Sequence, residues 1–225
     1  MAISLKRTGD VSALNVRLLV YGAAGAGKTS LIPTLPDPLV LSAEGGLLSI
    51  KGANVPFIEI KSMDDLKEAY QWLTESEEAA QFKSVALDSI SEIAEVVLTA
   101  EKATAKDPRQ AYGALQDQMQ MIIRAFRDLP GKHVYFSAKM EKAQDETGRI
   151  LYAPSMPGNK LAQQLPYFFD EVLALRVEKD AEGVPQRALM CASDGLWSAK
   201  DRSGRLDAWE GADLGAVINK IMAEG

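Results

Sequence analysis

Residues 22–29 read G-A-A-G-A-G-K-T, and this G-x-x-x-x-G-K-[ST] pattern constrains the chain more than any other stretch. Glycines at those spacings let backbone N–H groups close around a phosphate, while the lysine adds a cation and the hydroxyl a metal ligand. The pattern carries that meaning only between a buried strand and a helix start. Residues 15–21 (N-V-R-L-L-V-Y) read as such a strand, and 38–42 (P-L-V-L-S) as a second short one. Strand, loop, helix, strand is the rhythm of an α/β fold.

The rest of the chain continues that rhythm. Residues 55–60 predict a third strand, and Ser62-x-x-Asp65 opens a helix with Leu66, Ala69, Tyr70 and Leu73 at helical spacing. Residues 82–88 (F-K-S-V-A-L-D) form a strand that ends in an acid, and Ser89-x-x-Glu92 starts the next helix. A helix over about 112–129 carries Leu115, Met119, Ile122, Ile123, Phe126 and Leu129 on one stripe and stops at Pro130-Gly131. Residues 133–137 read as a strand, and 139–160 as a long polar excursion with turns at 146–148 and 156–158. Residues 171–177 and 186–192 form a strand pair around 180–183, and 213–222 a closing helix.

A chain of 225 residues with 47% hydrophobic content builds one sizeable core, so a single domain over 1–225 is expected. Cys191 has no second cysteine for a disulfide, and with His133 it is too few for a structural zinc site. The first ten residues lack a signal-peptide core, and no apolar run approaches the roughly 18 residues of a membrane span. These features point to the cytoplasm. A net charge of -6 and a pI near 5.0 argue against wholesale nucleic-acid coating, so any such surface is local.

The phosphate-binding set is Gly22, Ala23, Ala24, Gly25, Ala26, Gly27, Lys28, Thr29 and Ser30, with Lys28 reaching the β and γ phosphates. Thr29 and the strand-terminal Asp88 are the candidate Mg²⁺ ligands, Asp88 in the manner of a Walker B acid. The competing reading of Asp88 is a helix N-cap. Hydrolysis also needs a group to activate water. The position after Asp88 is Ser89, so Glu44, just past the second strand, is the candidate, against a plain surface-loop reading. His133, Trp72, Trp197 and Trp209 read as packing or surface residues without chemistry.

A glutamate after the second core strand and an L-D-S Walker B resemble the RecA/RadA recombinase superfamily rather than AAA+ proteins, across most of the chain. S-A-K-M-E-K at 137–142, P-S-M-P-G at 154–158, L-P-Y-F-F-D-E-V at 165–172 and A-K-D-R-S-G at 199–204 further resemble the bacteriophage family of core-only RecA-like ATPases. That family is associated with single-strand annealing and recombination. The resemblance implies a RecA-like α/β core, a mostly parallel sheet flanked by helices with a C-terminal antiparallel strand pair. It implies ATP and Mg²⁺ as cofactors and a homo-oligomeric ring or filament with nucleotide between subunits.

Lys200-Asp201-Arg202-Ser203-Gly204 is similar to the superfamily's K-x-R-x-G element, which implies that Lys200 and Arg202 act in trans on a neighbour's γ-phosphate. The alternative is a solvated charge pair. Lys139 stands where relatives carry an amide-bearing sensor. The loop after it corresponds to a DNA-binding loop, so Lys142, Arg149, Tyr152 and Lys160 are candidate single-stranded DNA contacts among Glu141, Asp145 and Glu146. Mixed-charge loops are otherwise merely solvated. Arg109 and Tyr112 match a first such loop. The 21 residues before Gly22 resemble no polymerisation or duplex-capture appendage, so annealing or pairing is expected rather than full strand exchange. Two other classes compete: a P-loop small-molecule kinase, and a nucleotide-gated scaffold for a single-strand-binding protein.

Overall fold

The computed structural model describes residues 15–144, 147–180 and 182–223. The expectations for the first ten residues, for Asp145 and Glu146, and for Ala181 in the 180–183 turn lie outside these. The parallel strands are β1 (Arg17–Gly22), β2 (Pro38–Ser42), β3 (Phe57–Glu59), β4 (Ser84–Asp88), β5 (His133–Gln144) and, after β6 (Ile150–Ser155), β7 (Glu171–Lys179). They lie side by side in the order β7-β1-β5-β4-β2-β3. β6 pairs antiparallel with the outer half of β5, while β8 (Pro185–Met190), β9 (Lys200–Asp201) and β10 (Trp209–Gly211) extend the β7 side antiparallel. This is the mostly parallel sheet flanked by helices, with a C-terminal antiparallel pair, that the sequence led us to expect.

The period of two along a strand sends alternate residues to opposite faces, and β1 shows the result. Leu19 and Tyr21 join the core under α1 (Met63–Glu75), α2 (Ile90–Thr104) and α3 (Pro108–Arg127). Leu18 and Val20 join the core on the other face, against Leu31, Ile32 and, after α4 (Asn159–Gln164), α5 (Leu214–Met222). The stripe of α3 is buried at Leu115, Met119, Ile123 and Phe126, as its spacing requires.

Caps fix the helix starts. Ser62 accepts from the Asp65 N–H at 3.2 Å while Asp65 accepts from the Ser62 N–H at 2.8 Å, closing the expected capping box. α3 begins earlier than the apolar stripe suggested, because Asp107 accepts from the Arg109 N–H at 2.8 Å and Pro108 occupies the first turn.

Two segments depart from the sequence expectation. The helix after the phosphate loop is a six-residue 3₁₀ turn, Thr29–Thr34, in which Pro33 lacks the N–H and the room an α-helix needs. The excursion over 139–160 is not an irregular loop. Its first part is a β-hairpin in which Lys139 through Gln144 pair with Ser155 through Ile150, and α4 follows Gly158. Gly148 at φ 80° makes the expected turn, but the polar K-M-E-K-A-Q composition of the first arm hides the strand pairing.

Candidate nucleotide-binding site at the carboxyl edge

Register gathers the site. Gly22 lies opposite Lys139, Ser42 opposite Asp88, and Val20 opposite Ser137, so the carboxyl ends of β1, β2, β4 and the middle of β5 share one edge. Ligands of open parallel sheets bind outside that edge. There a cavity of about 510 Å³ is lined by Gly22, Gly27, Lys28, Thr29 and Ser30 of the phosphate loop, with Arg187 lying over Gly27, and by Glu44, Ser49 and Lys139. A second cavity of about 670 Å³, between α1, α2 and α3, is lined largely by Leu66, Tyr70, Met121, Ile122 and other side chains and has no glycine-rich backbone for phosphate.

The loop's glycines are required by geometry. Gly27 has φ 104°, and a Cβ there would fall 2.6 Å from Nε of Arg187. A Cβ on Gly22 would fall 2.8 Å from the Leu175 carbonyl oxygen. Lys28 folds back so that Nζ donates to the Gly22 and Ala23 carbonyls at 2.9 and 3.1 Å. Burial pulls its ammonium below the usual lysine range, against the opposing pull of the Glu44 and Asp88 carboxylates. The Tyr135 hydroxyl donates to the Lys28 carbonyl at 2.9 Å and pins the loop from β5.

Asp88 is not the cap of α2; that role belongs to Ser89, whose Oγ accepts from the Glu92 N–H at 3.3 Å. The buried Asp88 carboxylate instead accepts from the Thr29 hydroxyl at 2.7 Å and, through its other oxygen, from the Ser137 hydroxyl. The Asp88–Ser89 peptide bond is cis. Ser89 Oγ donates to Glu44 Oε1 at 2.5 Å, which places the Glu44 carboxylate at the cavity wall. Lys139 also lines the cavity, with its ammonium on Glu92, and this hydrogen bond raises its pKa despite some burial.

Lys200 and Arg202 stand apart from this edge. Lys200 is opposite Val172, and Asp201 opposite Glu171 at the amino end of β7. Lys200 Nζ donates to the carbonyls of Pro166 and Phe169 at 2.8 and 2.6 Å, and Arg202 donates to Asp170 at 2.7 Å. On the hairpin, Lys142 is exposed, Lys160 is exposed in the first turn of α4, and the guanidinium of Arg149 lies against Gly195. The Tyr152 ring stacks on Trp197 at 4.3 Å, and Arg176 covers Trp197 at 4.9 Å. Arg109 and Tyr112 fall in the first turns of α3. His133 Nδ1 accepts from the Val16 N–H at 3.1 Å, a structural role.

Arg187 was not foreseen. Its Nε donates to the Ala26 carbonyl at 2.8 Å. No motif marks it, because its approach depends on how β8 pairs with β7; only its place in a predicted strand of the C-terminal pair was readable.

A glycine-rich phosphate loop on a parallel core, with a hydroxyl and an acid joined beneath it, defines an ATPase-like P-loop domain. A family model described as an AAA domain matches residues 14–203, and the chain belongs to that family. Family membership implies nucleotide binding. Its label differs from the RecA/RadA resemblance of the motifs, and the coarser class, a P-loop nucleoside triphosphatase, is what the two share. A search of curated proteins finds no match. Among solved structures, a KaiC-like protein from the hyperthermophilic archaeon Pyrococcus horikoshii OT3 is similar with TM-score 0.43 and 13% identity, over 78% of this chain and 77% of that one. An ATPase from the type III secretion system of pathogenic bacteria is similar with TM-score 0.48 and 12% identity, over 72% of this chain and 51% of that one. No helix among the described residues is long and apolar enough to cross a membrane.

Proposed function

We propose that this chain is a Mg²⁺-dependent ATPase of the RecA-like, phage core-only recombination type, which binds single-stranded DNA and promotes annealing or pairing. The observation that carries the ATPase reading is a division of labour at one edge. Asp88 is engaged with Thr29 and Ser137, while Glu44 is held separately by Ser89 and faces the same cavity.

The hydroxyl of Thr29 and the carboxylate of Asp88 are hard oxygen donors 2.7 Å apart, a set that fits Mg²⁺ completed by phosphate oxygens and water. Bound there, the ion would supply charge neutralisation on the β and γ phosphates. Lys28 would exchange its two carbonyl partners for phosphate oxygens, a short reorientation within the loop. Glu44 would accept the proton of the water that attacks the γ-phosphorus, with Ser89 fixing which carboxylate oxygen faces it. Lys200 and Arg202 would serve a neighbouring subunit's nucleotide in a ring or filament, since their own phosphate loop lies at the other end of the sheet.

For DNA, the support is the resemblance together with the exposed cations Lys142 and Lys160 around a hairpin that starts at the cavity residue Lys139. Arg149 and Tyr152 belong to the same hairpin and complete the proposed surface. A single-strand-binding protein is the companion such an activity would meet on DNA.

The test is steady-state ATP hydrolysis alone, with single-stranded DNA and with duplex, at two salt concentrations, with Lys28→Ala as blank. Stimulation by single strands that weakens with salt is expected. Hydrolysis indifferent to DNA would remove the recombination reading. Nucleotide binding without hydrolysis would favour the nucleotide-gated scaffold.

A further inference from the structure

We propose that Arg187 is a nucleotide-binding residue of this site, carried in cis by the β7–β8 hairpin to the phosphate chain. The inference rests on the nucleotide-binding reading and adds a residue to it.

Strand lengths make the delivery possible. β7 pairs with β1 only as far as Ala174, opposite Tyr21, yet continues to Lys179. Its outer half therefore runs beyond the carboxyl edge with β8 alongside, and Arg187 lies opposite Val177 in that projecting part. From there the side chain turns inward over Gly27 and lines the cavity together with Lys28, Thr29 and Ser30. The hairpin is braced at its root. Arg176 lies 4.9 Å from the Trp197 ring centre and 5.2 Å from that of Trp209, and it pairs with Glu178.

The chemistry of the contact suits an anion. A phosphate loop works by turning N–H groups toward the phosphate and carbonyls away from it. Arg187 Nε donates to the Ala26 carbonyl at 2.8 Å, which gives that carbonyl a protein partner within the loop. A guanidinium has five N–H donors, so four remain. Among the described residues no carboxylate pairs with Arg187, so its guanidinium is the cation free for a ligand in a cavity lined also by Lys28, by Lys139 on Glu92 and by the Glu44 carboxylate. The planar fork of arginine matches phosphate oxygens two at a time. Gly27 is the residue that lets it come so close, because a Cβ there would meet the guanidinium.

The competing explanation is a clip that merely holds the loop. Arg187→Met keeps the aliphatic cover over Gly27 and removes every donor, and Arg187→Lys restores the charge. The experiment measures dissociation constants for ATP, ADP and AMP by displacement of a fluorescent ADP, with the nucleotide-free melting temperature of each variant. Expected are a tenfold or greater loss for ATP and ADP in Arg187→Met, a smaller loss for AMP, partial recovery in Arg187→Lys, and a nucleotide-free melting temperature within about 2 °C of wild type. Binding by Arg187→Met within twofold of wild type overturns the proposal. So does an equal loss for all three nucleotides accompanied by a lowered melting temperature, the mark of a clip. A wild-type chain that fails to bind ATP overturns the nucleotide-binding reading itself and the proposal with it.

Discussion

The Ser89 hydroxyl joins Glu44 to the start of α2: it donates to Glu44 Oε1 at 2.5 Å and accepts the Glu92 N–H at 3.3 Å. One side chain thereby sets both the helix entry and the carboxylate proposed to activate water. Glu44→Gln should lower turnover about 10²- to 10³-fold while ATP affinity stays within a few fold, since proton acceptance is lost and binding is not. Ser89→Ala should give a milder loss of turnover together with about 1 kcal/mol of stability from the missing cap. Comparing single-turnover rates with nucleotide affinity checks both. Equal losses of affinity and rate in Glu44→Gln would assign Glu44 to binding instead.

Asp88 accepts from Thr29 and Ser137, so removing either hydroxyl has a different effect. Thr29→Ala should raise the Mg²⁺ concentration needed for half-maximal ATP binding by tenfold or more, because a ligand is lost. Ser137→Ala should leave that concentration nearly unchanged but lower stability by about 1–3 kcal/mol, since it unmakes a buried hydrogen bond to an acid. Mg²⁺ titrations of ATP binding, with denaturant unfolding alongside, separate the two.

How much of this was legible in the sequence follows from the range of each signal. The phosphate loop, Asp88 and the strands around them are local patterns, and alternation along β1 already separates Leu19 and Tyr21 from Leu18 and Val20. The cap at Ser89 was readable from its spacing to Glu92. The β5–β6 hairpin was not, because K-M-E-K-A-Q gives no apolar face to count and the strand is held by pairing with Ile150–Ser155. The short 3₁₀ turn was foreshadowed by Pro33 but masked by the expectation that an α-helix follows a phosphate loop. Arg187 depends on strand pairing between β7 and β8 and on the extra length of β7, neither of which a local pattern encodes.

Glu171 gives a prediction in pH. Burial first, and then its hydrogen bond to and repulsion from Asp201, push the Glu171 carboxyl up to about 8 from an ordinary 4.5. The folded chain thus holds a proton that the unfolded chain has released, so the group's stabilising contribution is full below about 4.5 and is lost as pH rises toward 8. Glu171→Gln keeps a donor toward Asp201 without a titrating proton. Its unfolding free energy should vary less between pH 5 and 8 than that of wild type. Urea unfolding across that window checks it, and parallel profiles would place the titration elsewhere.

The trans role proposed for Lys200 and Arg202 can be separated from their contacts within the chain. Lys200 is engaged with two carbonyls, so Lys200→Ala should cost about 1–3 kcal/mol of stability whatever else it does. Arg202 is the cleaner probe: its side chain is 59% exposed and paired with Asp170, so Arg202→Ala should cost 1 kcal/mol or less. If Arg202 reaches a neighbour's γ-phosphate, Arg202→Ala abolishes turnover and leaves ATP binding intact. Lys28→Ala abolishes turnover by the other route, yet its own Arg202 is sound. Equal mixing of the two inactive variants then places an intact phosphate loop beside an intact arginine at about one interface in four, so about a quarter of wild-type turnover should return. Such recovery cannot arise if Arg202 serves its own subunit, because every subunit in the mixture lacks one of the two residues. A mixture that exchanges subunits and stays inactive sinks the trans assignment.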